Sequence, residues 1–143
     1  MVKIAICDDE TEFLDILSES LSSWCRAHQL TLQLYRFTNG DELISAHRAY
    51  GMDLILLDIQ MPDMNGLQML KEARERGSMT KVVILTAYSD FDYAKKAIAL
   101  GIENYLLKPV NLTELKNTLS KIKEEIFVEQ RGKNSLSLET VIK

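Results

Sequence analysis

The run Leu54-Ile55-Leu56-Leu57, followed at once by Asp58, constrains this chain more than any other stretch. Four aliphatic residues with no polar alternation suit a strand covered on both faces, the situation inside a parallel sheet. Asp58 then falls at the carboxyl end of that strand. Pro62 cannot donate to a ladder, and Asn65 with Gln68 three residues on has the pattern of a helix N-cap, so a loop is expected between strand and helix. In open parallel sheets ligands bind in the crevice outside the carboxyl ends of the strands. Asp58 is therefore expected at a reactive rim, facing solvent.

The same unit recurs along the chain. Val2 to Cys7 is a short apolar strand that also ends on acids, Asp8-Asp9-Glu10. Phe13, Leu17, Leu21 and Trp24 then repeat at helical spacing from Thr11 to about His28. Thr31 to Phe37 alternates, as an edge strand does, and a helix from about Asp41 to Tyr50 closes at Gly51. After Asp58, a helix from Gly66 to Arg76 turns Leu67, Leu70 and Ala73 inward and closes at Gly77. Lys81 to Leu85 is a buried strand running into Thr86-Ala87. Ser89 with Asp92 opens a helix from Phe91 to Leu100 that carries Ala94, Ala97 and Ile98. Asn104 to Leu107 is a fifth strand ending at Lys108-Pro109. Asn111 with Glu114 opens a last helix with Leu112, Leu115, Leu119, Ile122 and Ile126 on one face. Strands alternating with helices at this pitch predict an α/β fold: a five-stranded parallel sheet, doubly wound as (βα)5, in the flavodoxin-like order 2-1-3-4-5.

With 143 residues, 46% of them hydrophobic, the chain suits one domain, residues 1–127, followed by a linker or tail over 128–143. The tail reads equally as a frayed terminus, an extension of the last helix or the opening of a further domain. A net charge of -4 offers no basic surface for a phosphate backbone, so any DNA contact requires an effector domain outside this chain. The start is too short and too soon acidic for a signal peptide, and no long apolar run follows, so a cytoplasmic protein that does not enter the membrane is expected. Cys7 and Cys25 lack metal-ligand spacing and read as packed thiols. His28 and His47 sit in no kinase-like phosphorylation motif and read as solvated surface residues.

Five residues at strand ends form a chemical set: Asp8 and Asp9, Asp58, Thr86 and Lys108. Clustered carboxylates repel unless a cation neutralises them, and oxygen ligands suit a hard ion such as Mg2+. Lys108 brings a positive point charge and Thr86 a rotatable donor, both suited to phosphoryl oxygens once a carboxylate has attacked a phosphoryl group. This inventory fits an aspartyl phosphate.

From about Val2 to Glu125 the chain resembles the receiver domain of two-component response regulators. The resemblance lies in Asp8-Asp9, the stretch from Asp58 to Gly66, Thr86-Ala87, and Tyr105-Leu106-Leu107-Lys108-Pro109, in the family's order. It implies that Asp58 accepts a phosphoryl group from a sensor histidine kinase. It implies Mg2+ held by Asp9, Asp58 and the Gln60 carbonyl, with Asp8 acting through water. Thr86, Ala87 and Lys108 would bind the phosphoryl group, and Lys108-Pro109 would be a cis peptide. Thr86 and Tyr105 would form a switch pair that remodels the fourth helix, fifth strand and fifth helix, a surface compatible with a homodimer. Gln60 and Tyr88 would tune hydrolysis. The Ala87 to Ala97 stretch is similar to receivers attached to arabinose-regulator-type helix-turn-helix domains, which implies a transcription factor as parent.

Three rival readings are weaker. A haloacid-dehalogenase-type phosphatase needs a second Asp where this chain has Gln60, which cannot serve as a general acid. A flavin or nucleotide module needs glycines where Cys7-Asp8-Asp9-Glu10 places negative charge. An interaction module that is never phosphorylated would be expected to lack one of the five site residues, and none is missing.

Overall fold

The computed structural model describes residues 1–58, 60–61, 64–75, 80–87 and 91–125. In chain order the elements are β1 (Val2–Cys7), α1 (Thr11–Ala27), β2 (Leu32–Phe37), α2 (Gly40–Tyr50), β3 (Leu54–Leu57), α3 (Gly66–Glu75), β4 (Lys81–Thr86), α4 (Phe91–Ala99) and β5 (Asn104–Leu107). A last helix, α5, runs over residues 112–125. Between β3 and α3, Gln60–Met61 pairs antiparallel with Met64–Asn65. The five main strands are all parallel, in the order β2-β1-β3-β4-β5 that the alternation of elements predicts.

Strand alternation divides the core in two. Ile4, Ile6, Leu54, Leu56, Val83, Leu85 and Leu106 point to one face, where Leu14, Leu17, Leu21 and Trp24 of α1 and Leu115, Leu119 and Ile122 of α5 cover them. Ala5, Cys7, Ile55, Leu57, Val82 and Ile84 point to the other face, beneath Leu43 of α2, Leu67, Met69 and Leu70 of α3 and Ala97 of α4. Both faces being covered is why the central strands are continuously apolar. β2 has one neighbour, as expected of an edge, and its residues are half-buried or exposed.

Local chemistry sets the helix ends. The Asn39 side chain accepts the Glu42 N–H at 2.9 Å and caps α2. Gly51, at φ +70, ends that helix while its N–H donates to the His47 carbonyl. The Asn111 side chain accepts the N–H groups of Thr113 and Glu114 at 2.9 and 3.1 Å and opens α5.

Several sequence expectations need correction. Leu14 is buried in α1, whereas Phe13 is only partly covered. Ile98 is 65% exposed and Leu112 45%, so neither faces the core. The histidines are half-buried rather than solvated. His28 stacks on Trp24 with ring centroids 4.3 Å apart and lies 3.2 Å from Lys123 Nζ. His47 faces Thr80 Oγ1 at 3.5 Å. The expected Gly77 stop, the Ser89 cap, Ile126 and the 128–143 tail lie outside the described residues.

Two outcomes follow. Leu17→Ala, at a site 2% exposed, should cost about 2–5 kcal/mol in urea unfolding, while Ile98→Ala should stay within about 0.5 kcal/mol. Burial, then the positive charge of Arg74, lowers the pKa of His47 below that of a free imidazole. The unfolded chain therefore binds this proton more readily, so stability intact above about pH 6.5 declines as pH falls below it. His47→Gln should lessen that decline in thermal melts taken from pH 7 downward.

Candidate functional site

The sheet register builds the site. Cys7 pairs with Leu57 across β1 and β3, so Asp8 and Asp58 emerge side by side, one residue past the ladder. Their backbones prolong the sheet: Asp8 N–H donates to the Phe37 carbonyl and Asp58 N–H to the Cys7 carbonyl, both at 3.1 Å. Thr86 pairs with Leu107 at the end of β4 and β5, and the following Lys108 N–H donates to the Thr86 carbonyl at 2.8 Å. The Lys108–Pro109 peptide bond is cis.

Lys108 Nζ lies 2.7 Å from Asp8 Oδ2 and 3.2 Å from Asp58 Oδ2, so one ammonium joins both acids. Asp8 is 1% exposed and Asp58 6%. The expectation that Asp58 faces solvent is thus corrected: it lies beneath the Lys108 side chain. The other Asp8 oxygen accepts the Glu10 N–H at 2.9 Å. Burial raises the pKa of Asp8 even though the Lys108 hydrogen bond opposes it. Burial alone would lower the pKa of Lys108, but its bond to Asp8 and the nearby Asp58 charge outweigh it, and the net direction is up. Burial and the negative field of Asp8 and Asp58 push the Cys7 thiol up to about 12.

The structure brings together Asp8, Asp9, Asp58, Thr86 and Lys108 at one rim, and it adds two residues. Carboxylate oxygens of Asp8, Asp9 and Glu10 lie within 4.8 Å of one another, and Glu10 Oε1 is 3.9 Å from Lys108 Nζ. Asp9 and Glu10 are exposed, so this oxygen-only set opens outward and fits a hard divalent cation. Phe13 lies under Lys108, its ring centroid 4.4 Å from Nζ, an arrangement that favours the cation. Phe13 read only as a core position of α1; its place in the first turn after the acidic loop was the available signal.

Thr86 is fully buried, and Tyr105, half-buried, packs against the cluster beneath α2, α3 and α4. Ile84 pairs with Tyr105. By strand alternation Thr86 and Tyr105 share that face, while Lys108 falls on the face of α1, where Phe13 meets it. Ala87 is exposed just beyond Thr86. Gln60 is described only as part of the short backbone ladder, and Tyr88 lies outside the described residues.

Removing the shared cation should strand two buried acids. Lys108→Met is expected to cost about 3–5 kcal/mol, whereas Asp58→Asn, which leaves the Lys108–Asp8 pair, should change stability by no more than about 1 kcal/mol or raise it. Urea unfolding in chelator-containing buffer measures both.

Residues 4–120 match the family model described as the response regulator receiver domain. The chain is 33% identical over 138 residues to the Staphylococcus aureus protein named transcriptional regulatory protein HptR, covering 96% of this chain and 52% of that one. It is 33% identical over 134 residues to a Staphylococcus epidermidis protein named only as a response regulatory protein, covering 94% and 51%. The chain thus spans about half the length of these relatives. Among solved structures, the receiver domain of AraT, a response regulator from Geobacillus stearothermophilus, superposes with a TM-score of 0.77 at 31% identity, covering 91% of this chain and 99% of that one. No described helix is long and apolar enough to cross a membrane. The fold, the rim chemistry and these likenesses agree that the chain belongs to the response regulator receiver family.

Proposed function

We propose that this receiver domain is a phosphoryl-accepting switch, with Asp58 as acceptor and the phosphohistidine of a sensor histidine kinase as donor. The observation that carries the reading is the Lys108 ammonium bridging Asp58 and Asp8 at the sheet rim. An Asp58 oxygen attacks phosphorus, the P–N bond breaks, and its electron pair returns to the imidazole nitrogen of the donor. Lys108 and the Thr86 hydroxyl, with the Ala87 N–H, then hold the phosphoryl oxygens. Asp9, Asp58 and the Gln60 carbonyl, with Asp8 through water, would hold Mg2+, which when bound offsets negative charge on the phosphoryl group. By resemblance to the family, Gln60 and Tyr88 are the positions that tune the rate of acyl-phosphate hydrolysis.

Switching follows from competition for the same groups. A phosphoryl group draws the Thr86 hydroxyl toward the rim, and Tyr105, on the same face, turns into the space it leaves. The surface altered is α4-β5-α5. That surface supports a homodimer reading: Ile98, Leu107 and Leu112 are exposed there among Lys95, Lys96, Glu114 and Lys116. The name of one relative as a transcriptional regulator, and the half-length match, support an output domain beyond this chain. DNA contact belongs to that domain, of the arabinose-regulator type by resemblance, in the cytoplasm where kinase and DNA meet.

Incubation with acetyl phosphate and Mg2+, followed by intact mass, tests the acceptor. A single phosphoryl adduct is expected, lost in Asp58→Asn and in a chelated sample. Absence of any adduct from folded, metal-binding protein would favour an interaction module that works without phosphorylation.

A further inference from the structure

On the face opposite α1, α3 and α4 leave an open trough of about 600 Å3 between them, lined by Leu67, Gln68, Lys71, Tyr93, Lys96, Ala99 and Leu100. The two helices present the same order along it. Each begins with an apolar residue, Leu67 or Tyr93, and follows about one turn later with a lysine, Lys71 or Lys96. Among the described residues no carboxylate lines the trough. Among the described residues neither ammonium has a hydrogen-bond or ion-pair partner, although the chain as a whole carries a net charge of -4. Two lysines without a direct acid partner thus face each other across an apolar floor, in a chain whose net charge is negative.

The spacing of the walls is fixed at the far end. Arg74 Nε of α3 donates to the Leu100 carbonyl at 2.9 Å and Nη2 to the Gly101 carbonyl at 3.1 Å, which satisfies the carbonyl end of α4 and ties the two helices together. The trough is thus a cleft between braced helices rather than a gap at a frayed end.

We propose that this trough docks an acidic, amphipathic polypeptide segment of a partner protein. Apolar side chains at helical spacing would lie on Leu67, Tyr93, Ala99 and Leu100, and flanking carboxylates would meet Lys71 and Lys96. The apolar floor favours a polypeptide over a simple anion, which would use the lysines and leave the floor wet. The volume lies in the range of ligand-sized clefts. This assignment does not rest on the phosphoryl-acceptor reading, although α4 belongs to both surfaces.

The probe is a fluorescein-labelled peptide roughly four helical turns long, with Leu at heptad spacing, Glu beside it and Ala elsewhere. Its counterpart carries Lys for every Glu. Anisotropy with the full chain should show saturable binding of the acidic peptide, weakened about tenfold in the basic one. Lys71→Glu and Lys96→Glu should each lower affinity roughly threefold and together about tenfold, with Lys95→Glu, on the same helix outside the trough, unchanged within about twofold. Amide shifts should concentrate in residues 67–71 and 93–100. No saturable binding, equal binding of the two peptides, a shift map elsewhere, or vesicles of phosphatidylglycerol binding with the same lysine dependence would each overturn the proposal.

Discussion

One ammonium held between two buried carboxylates is the interaction on which the rim of this domain depends. Asp8 and Asp58 are neighbours because β1 and β3 end in register, and two acids so placed repel when both are charged. Lys108 reaches them from the end of edge strand β5, 2.7 and 3.2 Å away, over the Phe13 ring. Charges out of water are stable only when paired and well bonded, so the three groups are meaningful as a unit. That unit contains more acid than base, since Asp9 and Glu10 lie beside it, and the imbalance suits further cations at the outer edge.

The sheet then separates two tasks by a matter of parity. Lys108 meets Phe13 and the acids on the side of α1, while Thr86 and Tyr105 belong to the side of α4. Thr86 joins the two, because its carbonyl accepts the Lys108 N–H and its hydroxyl carbon lies on the opposite face. A change in charge on one face can thus be felt as a change in packing on the other, with a single backbone hydrogen bond between them.

Much of this was readable from the residues. Continuous apolar runs at Leu54 to Leu57 and Val82 to Leu85 indicated strands covered on both faces, and each ends where the chemistry changes, so strand ends and rim residues came together. The caps at Asn39 and Asn111 were legible for the same reason: short polar side chains there take orphan N–H groups. What escaped depends on geometry across the fold. Helical periodicity cannot distinguish Phe13 from Leu14 at the edge of an apolar stripe, because a small rotation of α1 decides which is buried. Ile98 and Leu112 fit the same stripes and are exposed, since a helix against a sheet edge is covered over a narrower arc. The burial of Asp58 was hidden because its cover, Lys108, is fifty residues away in sequence.

The two cysteines carry a chemical consequence of this architecture. Cys7 lies beneath α2, α3 and α4, whereas Cys25 belongs to α1 and packs into the core of the opposite face, so the sheet itself keeps the sulfurs apart. Alkylating and oxidising reagents need a thiolate, and the burial and acid field that push Cys7 up to about 12 leave almost none at neutral pH. Burial, helped by the acids of the rim, therefore renders the adjoining strand inert toward electrophiles, and Cys7 becomes a chemical clock that starts only when the sheet opens.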